Sequence, residues 1–243
     1  VTALLSVESA TKAFGGVRAV DGCSVTVDEG TVTAMIGPNG SGKTTLFNLI
    51  TGYMRADSGQ VSFAGRDVTG TDPGRLYRQG LTRTFQQARI FPHLTVEENL
   101  IVAGGYRWPQ LFTPRAGRAD RLRAAHLLAE FRLTHVADLL GSELSYGQRK
   151  LLEFAAVLMS SPRLVLLDEP TAGVNPAMIE TMERHIRERH AAGITFLIVE
   201  HDMTFVMRLC NPVVVLDQGS VIFTGSPRDV QQDPRVLEAY LGA

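Results

Sequence analysis

VTAMIGPNGSGKT, the run from Val32 to Thr44, joins a short strand-like stretch to a glycine-rich turn, and the turn to a lysine and a hydroxyl residue at the head of a helical stretch. Its last eight residues, Gly37-Pro38-Asn39-Gly40-Ser41-Gly42-Lys43-Thr44, fit the P-loop pattern in the strand, loop, helix order that the pattern requires. The glycines let successive backbone N–H groups curve round phosphate oxygens, and Lys43 adds a mobile ammonium. The Thr44 hydroxyl, at the positive end of the helix, suits a Mg²⁺ ligand. Gly37, Asn39, Gly40, Ser41, Gly42, Lys43 and Thr44, with Thr45 next in line, are the expected phosphate-binding set.

Outward from this loop, Val32 to Ile36 reads as a buried strand, and a helix from about Thr44 to Thr51 stops at Gly52. Upstream, residues 4 to 36 read as short strands with turn signals at Gly15-Gly16, Asp21-Gly22 and Glu29-Gly30, the pattern of an antiparallel edge sheet. Downstream, Thr95 to about Leu140 is helical in pattern, broken at Trp108-Pro109 and Thr113-Pro114. Arg163 to Leu167, Ile194 to Val199 and Pro212 to Leu216 are short apolar strands alternating with helices, which predicts a mainly parallel sheet. Pro227 to Leu241 reads as one or two short helices. The expectation is one α/β domain over residues 1–243: a P-loop core with a mainly parallel sheet, an N-terminal antiparallel β subdomain, and a helical subdomain inserted at about 95–160.

Composition narrows the function classes. With 44% hydrophobic and 20% charged residues, 243 residues can bury one large core. A net charge of -1 supplies no general field for nucleic acid or anionic lipid. The arginines at 115, 118, 121 and 123 are interrupted by Asp120 and read as a solvated face rather than a nucleic-acid surface. Cys23 and Cys210 have no metal-ligand company and read as buried, reduced thiols, which suits a cytosol. The apolar runs fall short of the roughly 18 residues a spanning helix needs, so membrane association is expected only through a partner, and no export signal is read.

The second chemical signal is Leu164-Val165-Leu166-Leu167-Asp168-Glu169, an apolar strand ending in two carboxylates. Asp168 can hold Mg²⁺ through its water shell and Glu169 can accept a hydrogen bond from an attacking water. Ligands of open parallel sheets bind beyond the carboxyl ends of the strands, and three strands here end in polar candidates: the Gly37 loop, Asp168-Glu169 and Glu200-His201. These parts alone leave a P-loop kinase open. A small GTPase also remains, although the Asn-Lys-x-Asp guanine-reading element is absent. Leu144-Ser145-Tyr146-Gly147-Gln148 decides against both. Ser145 is a good N-cap for a helix expected over Gln148 to Met159, so this is a second anion site in a chain that already has one. A second anion site makes sense if it closes over the phosphates of a neighbour.

Taken together, Gly37 to Thr44, Gln86, Leu144 to Gln148, Asp168-Glu169 and His201 resemble, over essentially the whole chain, the nucleotide-binding domain of ABC ATPases with its P-loop NTPase core. The resemblance implies a Walker A loop, a Q-loop glutamine touching Mg²⁺ at Gln86, and a signature motif acting in trans through Ser145, Gly147 and Gln148. It further implies Walker B at Asp168 with Glu169 as catalytic glutamate, a switch histidine at His201, and Phe14 stacking on adenine. Two positions depart from the family pattern: Tyr146 stands where glycine is commoner, and Asn175 takes the usual aspartate position in Ala172-Gly173-Val174-Asn175-Pro176.

The stretches Arg83 to Phe91, Leu94 to Leu100, Glu200 to Met203 and Ala239 to Gly242 are similar to the LivG-like ATPases of branched-chain amino-acid importers, with importers of urea, short amides or other amino acids as close rivals. What that implies is a subunit at the inner face of the cell membrane. There it would pair with a second ABC ATPase, like or unlike itself, beneath membrane permease subunits fed by a substrate-binding protein. Two ATP molecules would lie at a head-to-tail interface, and no nucleic acid is expected. Chromosome-maintenance ATPases would need long coiled-coil insertions and translation factors a second P-loop, and the chain has neither.

Overall fold

The computed structural model describes residues 2–85, 90–104 and 117–241. Two long strands open the chain, β1 (Ala3–Phe14) and β2 (Val17–Asp28), joined at Gly15-Gly16. Both glycines have positive φ, 52° and 91°, as a two-residue hairpin turn with the right twist requires. This pair extends through β4 (Ser58–Phe63) and β5 (Arg66–Asp67) into an antiparallel sheet of order β2-β1-β4-β5. The edge sheet is therefore present, but differs from the expectation in its parts. Asp21-Gly22 does not turn the chain: Gly22 lies inside β2 at φ 59°, where the register against β1 shifts between Ala10↔Cys23 and Lys12↔Val20. The strands at 58–67 come from a segment that the sequence reading left unassigned.

The second sheet has the order β10-β9-β3-β8-β7-β6. Its parallel strands are β3 (Val32–Ile36), β6 (Leu81–Arg83), β7 (Leu164–Asp168), β8 (Thr195–Val199) and β9 (Val213–Asp217), with β10 (Ser220–Gly225) antiparallel on β9. The helices are α1 (Lys43–Ile50), α2 (Pro73–Gln79), α3 (Val96–Ala103), α4 (Arg118–Glu130), α5 (Tyr146–Leu158), α6 (Pro176–Ala191), α7 (Met203–Leu209), α8 (Pro227–Gln232) and α9 (Pro234–Leu241). The breaks expected at Trp108-Pro109 and Thr113-Pro114, and Arg115, fall outside the described residues. Arg118, Arg121 and Arg123 are exposed.

The period of two along a strand sorts the core into two layers. On one face Val32, Ala34, Ile36, Val165, Leu167, Phe196 and Ile198 pack in one apolar cluster with α3 to α7. On the other, Met35, Leu164, Leu166, Leu197 and Val199 pack with Leu46, Phe47, Leu49 and Ile50 of α1 and with the antiparallel sheet. Both faces are covered, so the parallel strands are almost wholly apolar, with Thr33 and Thr82 as buried exceptions inside them, and charged groups emerge at their ends. Cys23 and Cys210 are buried free thiols, and burial pushes them up to about 11 and about 12, which leaves them inert.

Candidate active site

The glycine-rich turn leaves the carboxyl end of β3 and enters α1 at Lys43. Gly42 is the N-cap at φ 100°, and a Cβ there would lie 2.2 Å from the Ala19 carbonyl oxygen. A Cβ on Gly37 would meet the Leu216 carbonyl oxygen at 2.1 Å. Only glycine fits either position, so the loop follows from side-chain size as much as from backbone freedom. The Lys43 ammonium is buried inside the loop and donates to Gly37 O at 2.7 Å, Pro38 O at 2.9 Å and Ser41 Oγ at 3.4 Å. Burial lowers its pKa from the ordinary lysine range, against the upward pull of Glu169 and Asp168.

One cleft of about 310 Å³ collects most of the expected residues. Its lining is Phe14, Ala19, Asn39, Gly40, Ser41, Gly42, Lys43, Thr44, Thr45, Glu169 and His201. Glu169 follows β7 in a left-handed conformation, φ 48°, held by its N–H donating to Val199 O at 2.9 Å. His201 follows β8, and its Nε2 lies 3.1 Å from Glu169 Oε1. A carboxylate and an imidazole facing the phosphate loop are the groups needed to orient a water and to hold a proton. Phe14 stands on the same cleft and is 46% exposed as a residue, which leaves it open to a planar ligand.

Asp168 is buried at the end of β7, and Arg83 at the end of β6 binds it at 2.7 Å between Nη2 and Oδ2. The same guanidinium donates to Asn48 Oδ1 at 2.6 Å, Thr51 Oγ1 at 3.2 Å and Thr84 O at 3.2 Å. It also lies 5.0 Å from the centroid of the Phe85 ring. For a metal the hard donors near the loop are the Thr44 hydroxyl on the cleft and the buried Asp168 carboxylate; the described lining adds the His201 imidazole and no thiol. That hard set fits magnesium and not a thiophilic ion.

The expected signature residues are placed elsewhere. Ser145 is the N-cap of α5, with Gln148 N donating to Ser145 Oγ at 3.3 Å and Ser145 N to Gln148 Oε1 at 2.9 Å. Ser145 is exposed, and neither it nor Gly147 nor Gln148 lines the cleft. Tyr146, in the place of the commoner glycine, donates its hydroxyl to Ala172 O at 3.1 Å and packs its ring on Gly173. Asn175 caps α6 through Oδ1, which accepts from Met178 N at 2.9 Å. That capping role needs no charge, which accounts for asparagine in the usual place of aspartate.

Gln86 falls outside the described residues. Sequence reasoning gave no role to three charged side chains that the fold brings to the site's borders: Arg83, Glu153 and Glu200, the last named only with His201 as a polar strand end. Glu153 of α5 accepts the Phe85 N–H at 2.9 Å, next to the Gln86 segment. Glu200 accepts from both loops that carry the Glu169–His201 pair. A charge next to an apolar strand, or inside an apolar helix, was the available signal, since such a charge is buried and must be paired.

Comparison with known proteins agrees with this geometry. The family profile described as "ABC transporter" matches residues 20–172, and that described as "Branched-chain amino acid ATP-binding cassette transporter" matches residues 220–243. The chain is 39% identical to a probable branched-chain amino acid transport ATP-binding protein LivG of Methanocaldococcus jannaschii, covering 98% of this chain and 97% of that one. It is also 39% identical to the high-affinity branched-chain amino acid transport ATP-binding protein BraF of Pseudomonas aeruginosa, covering 98% of each. Among solved structures, the ADP conformation of an ATP-binding cassette of an ABC transporter superposes with a TM-score of 0.89 at 37% identity over 100% of both chains.

Proposed function

The chain belongs to the ABC transporter ATPase family, and on that premise we propose that it is the ATP-hydrolysing subunit of an importer for branched-chain amino acids. The observation that carries the catalytic part is the cleft that gathers Lys43, Thr44, Glu169 and His201 while leaving the helix start at Ser145 exposed and apart. A complete site then needs the Ser145, Gly147 and Gln148 of a second subunit, and two subunits in head-to-tail contact complete two sites.

In this reading the backbone N–H groups of residues 39–44 and the Lys43 ammonium bind the ATP phosphates, and Phe14 stacks on the adenine. Glu169 orients the attacking water, and His201, within reach of Glu169, steadies the γ-phosphate side of the cleft. Thr44 and Asp168 would hold Mg²⁺, with Gln86 assigned to it by resemblance, and the charge supplied there would offset that of the phosphates. Within about 95–160, α3, α4 and α5 are the described α-helices of a helical subdomain that carries the signature. No helix among the described residues is long and apolar enough to cross a membrane. On the likeness to transporter ATP-binding proteins, the subunit works at the inner face of the membrane beneath separate permease subunits, supplied indirectly by a substrate-binding protein. The substrate rests on the likeness to the LivG and BraF proteins and on the match at residues 220–243.

Mixing two damaged chains tests the shared site. Lys43→Ala and Ser145→Arg subunits, each also carrying Glu169→Gln to slow hydrolysis, have no intact site as homodimers. A heterodimer rebuilds one, joining the sound loop of one chain to the sound signature of the other. Occluded ATP should appear on mixing, at roughly one per heterodimer. No gain over the separate samples, under conditions where the Glu169→Gln parent dimerises with ATP, refutes the shared-site reading.

A further inference from the structure

The Glu200 carboxylate is 2% exposed and lies between the two loops that bear the reacting pair. An ionised carboxylate offers about four acceptor positions and no donor, and here four N–H or O–H groups meet it. Oε1 accepts from Thr171 N at 2.9 Å and from the Thr171 hydroxyl at 2.6 Å. Oε2 accepts from His201 N at 2.8 Å and Asp202 N at 3.2 Å. Both sides are anchored further. Ala172 N donates back to Glu169 O at 3.2 Å, closing the turn that begins at the glutamate. Asp202 Oδ1 accepts from Thr204 N and Phe205 N, fixing the histidine loop to the start of α7.

We propose that Glu200 is a positioning residue for hydrolysis: by bonding the Thr171 loop with one oxygen and the His201 loop with the other, it sets the separation of Glu169 and His201. This rests on the reading of those two residues given above, and adds a part to which that reading assigns nothing. The carboxylate is suited to the task because all its bonds run to backbone N–H groups or to a hydroxyl of adjacent residues, so it fixes main chain rather than mobile side chains. Thr171 also opens the segment whose next residue, Ala172, accepts the Tyr146 hydroxyl. The clamp therefore lies between the phosphate cleft and the signature helix of the same chain.

Glu200→Gln keeps the shape but changes one oxygen to an amide NH₂, which faces two donors with a donor on one side or the other. The pair shifts while the phosphate loop is untouched. In the full chain, kcat should fall roughly tenfold to a hundredfold, the range for small misplacement of reacting groups, with KM for ATP within about twofold. The readout that a merely structural role would not produce is epistasis. In a His201→Ala background the same Glu200→Gln change should cost less than about threefold, because the group it positions is gone. Should Glu200→Gln fail to fold, Thr171→Val removes only the 2.6 Å hydroxyl bond; it should lower kcat without moving KM, and Thr171→Ser should restore it. A rise in KM matching the fall in kcat, fully multiplicative losses with His201→Ala, or normal turnover in both Glu200→Gln and Thr171→Val overturns the proposal. If Glu169→Gln and His201→Ala themselves keep normal turnover, the underlying reading of the cleft falls first; if they lose turnover and Glu200→Gln does not, the clamp alone is wrong.

Discussion

Replacing Arg83 with methionine gives the sharpest test of how the site is held together. The side chains of Arg83 and Asp168 are 6% and 5% exposed and 2.7 Å apart, so the pair has left water almost completely. Removing Arg83 leaves the buried carboxylate without its ion-pair partner and with only the Lys43 ammonium nearby, a loss of about 3–5 kcal/mol, whereas an exposed pair would cost at most about 1 kcal/mol. Methionine keeps much of the side-chain volume, while the guanidinium's approach to the Phe47, Tyr53 and Phe85 rings is lost with the charge, so the loss reports charge, ring contacts and hydrogen bonds rather than a void. For a domain of this size each kcal/mol shifts the melting temperature by roughly 2–4 °C, which places Arg83→Met about 6–20 °C below the parent. Asp168→Asn should cost less. The guanidinium keeps Asn48, Thr51 and the Thr84 carbonyl as acceptors. Combining the two changes removes both charges, so the double variant should be more stable than Arg83→Met alone. Thermal and urea unfolding in EDTA without nucleotide isolates this term from metal binding at Asp168. A loss below about 1 kcal/mol for Arg83→Met, or a double variant whose loss equals the sum of the singles, refutes the reasoning.

Lys43→Ala should weaken ATP binding by about 1.5–3 kcal/mol, roughly tenfold to a hundredfold in Kd by calorimetry, the worth of charge-assisted hydrogen bonds from a buried ammonium; unchanged affinity counts against the phosphate-loop assignment. Phe91 is 54% exposed, so Phe91→Asp should change the melting temperature by less than about 2 °C, in line with a surface change of at most about 0.5 kcal/mol. The same variant should reduce recovery of the subunit with the membrane permeases. Normal recovery, or a large drop in melting temperature, argues against a docking role for this residue.

What was legible in the sequence was local. The phosphate loop occupies consecutive positions, 37 to 44, and Asp168-Glu169 and His201 each follow an apolar run that announces a strand. The strands at 58–67 were not legible because their turn is Ala64-Gly65 rather than asparagine or aspartate with glycine. Both residues nevertheless take the positive φ of a two-residue hairpin, 51° and 73°. β10 was missed for the same reason, since Gln218-Gly219 turns the chain with φ 45° and 82°. β6 has three residues and gains its identity only from pairing with β7.

The supporting charges were hidden by distance along the chain. Arg83 meets Asp168 across 85 positions, Phe85 meets Glu153 across 68, and Thr171 meets Glu200 across 29. No window of sequence contains both members of any of these pairs. Their physical logic is nevertheless common. The parallel strands are buried on both faces, so their carboxyl ends are where ionised groups can meet polar partners, and each such group must find one there. Arg83 closes β6, Asp168 closes β7 and Glu200 follows β8, on three neighbouring strands of the sheet. A charged residue at the end of an apolar run in a chain with a phosphate loop is therefore a candidate for the site's framework even when it touches no ligand. Glu200 follows from that rule: the strand that delivers His201 to the cleft also delivers, one residue earlier, the carboxylate that holds it.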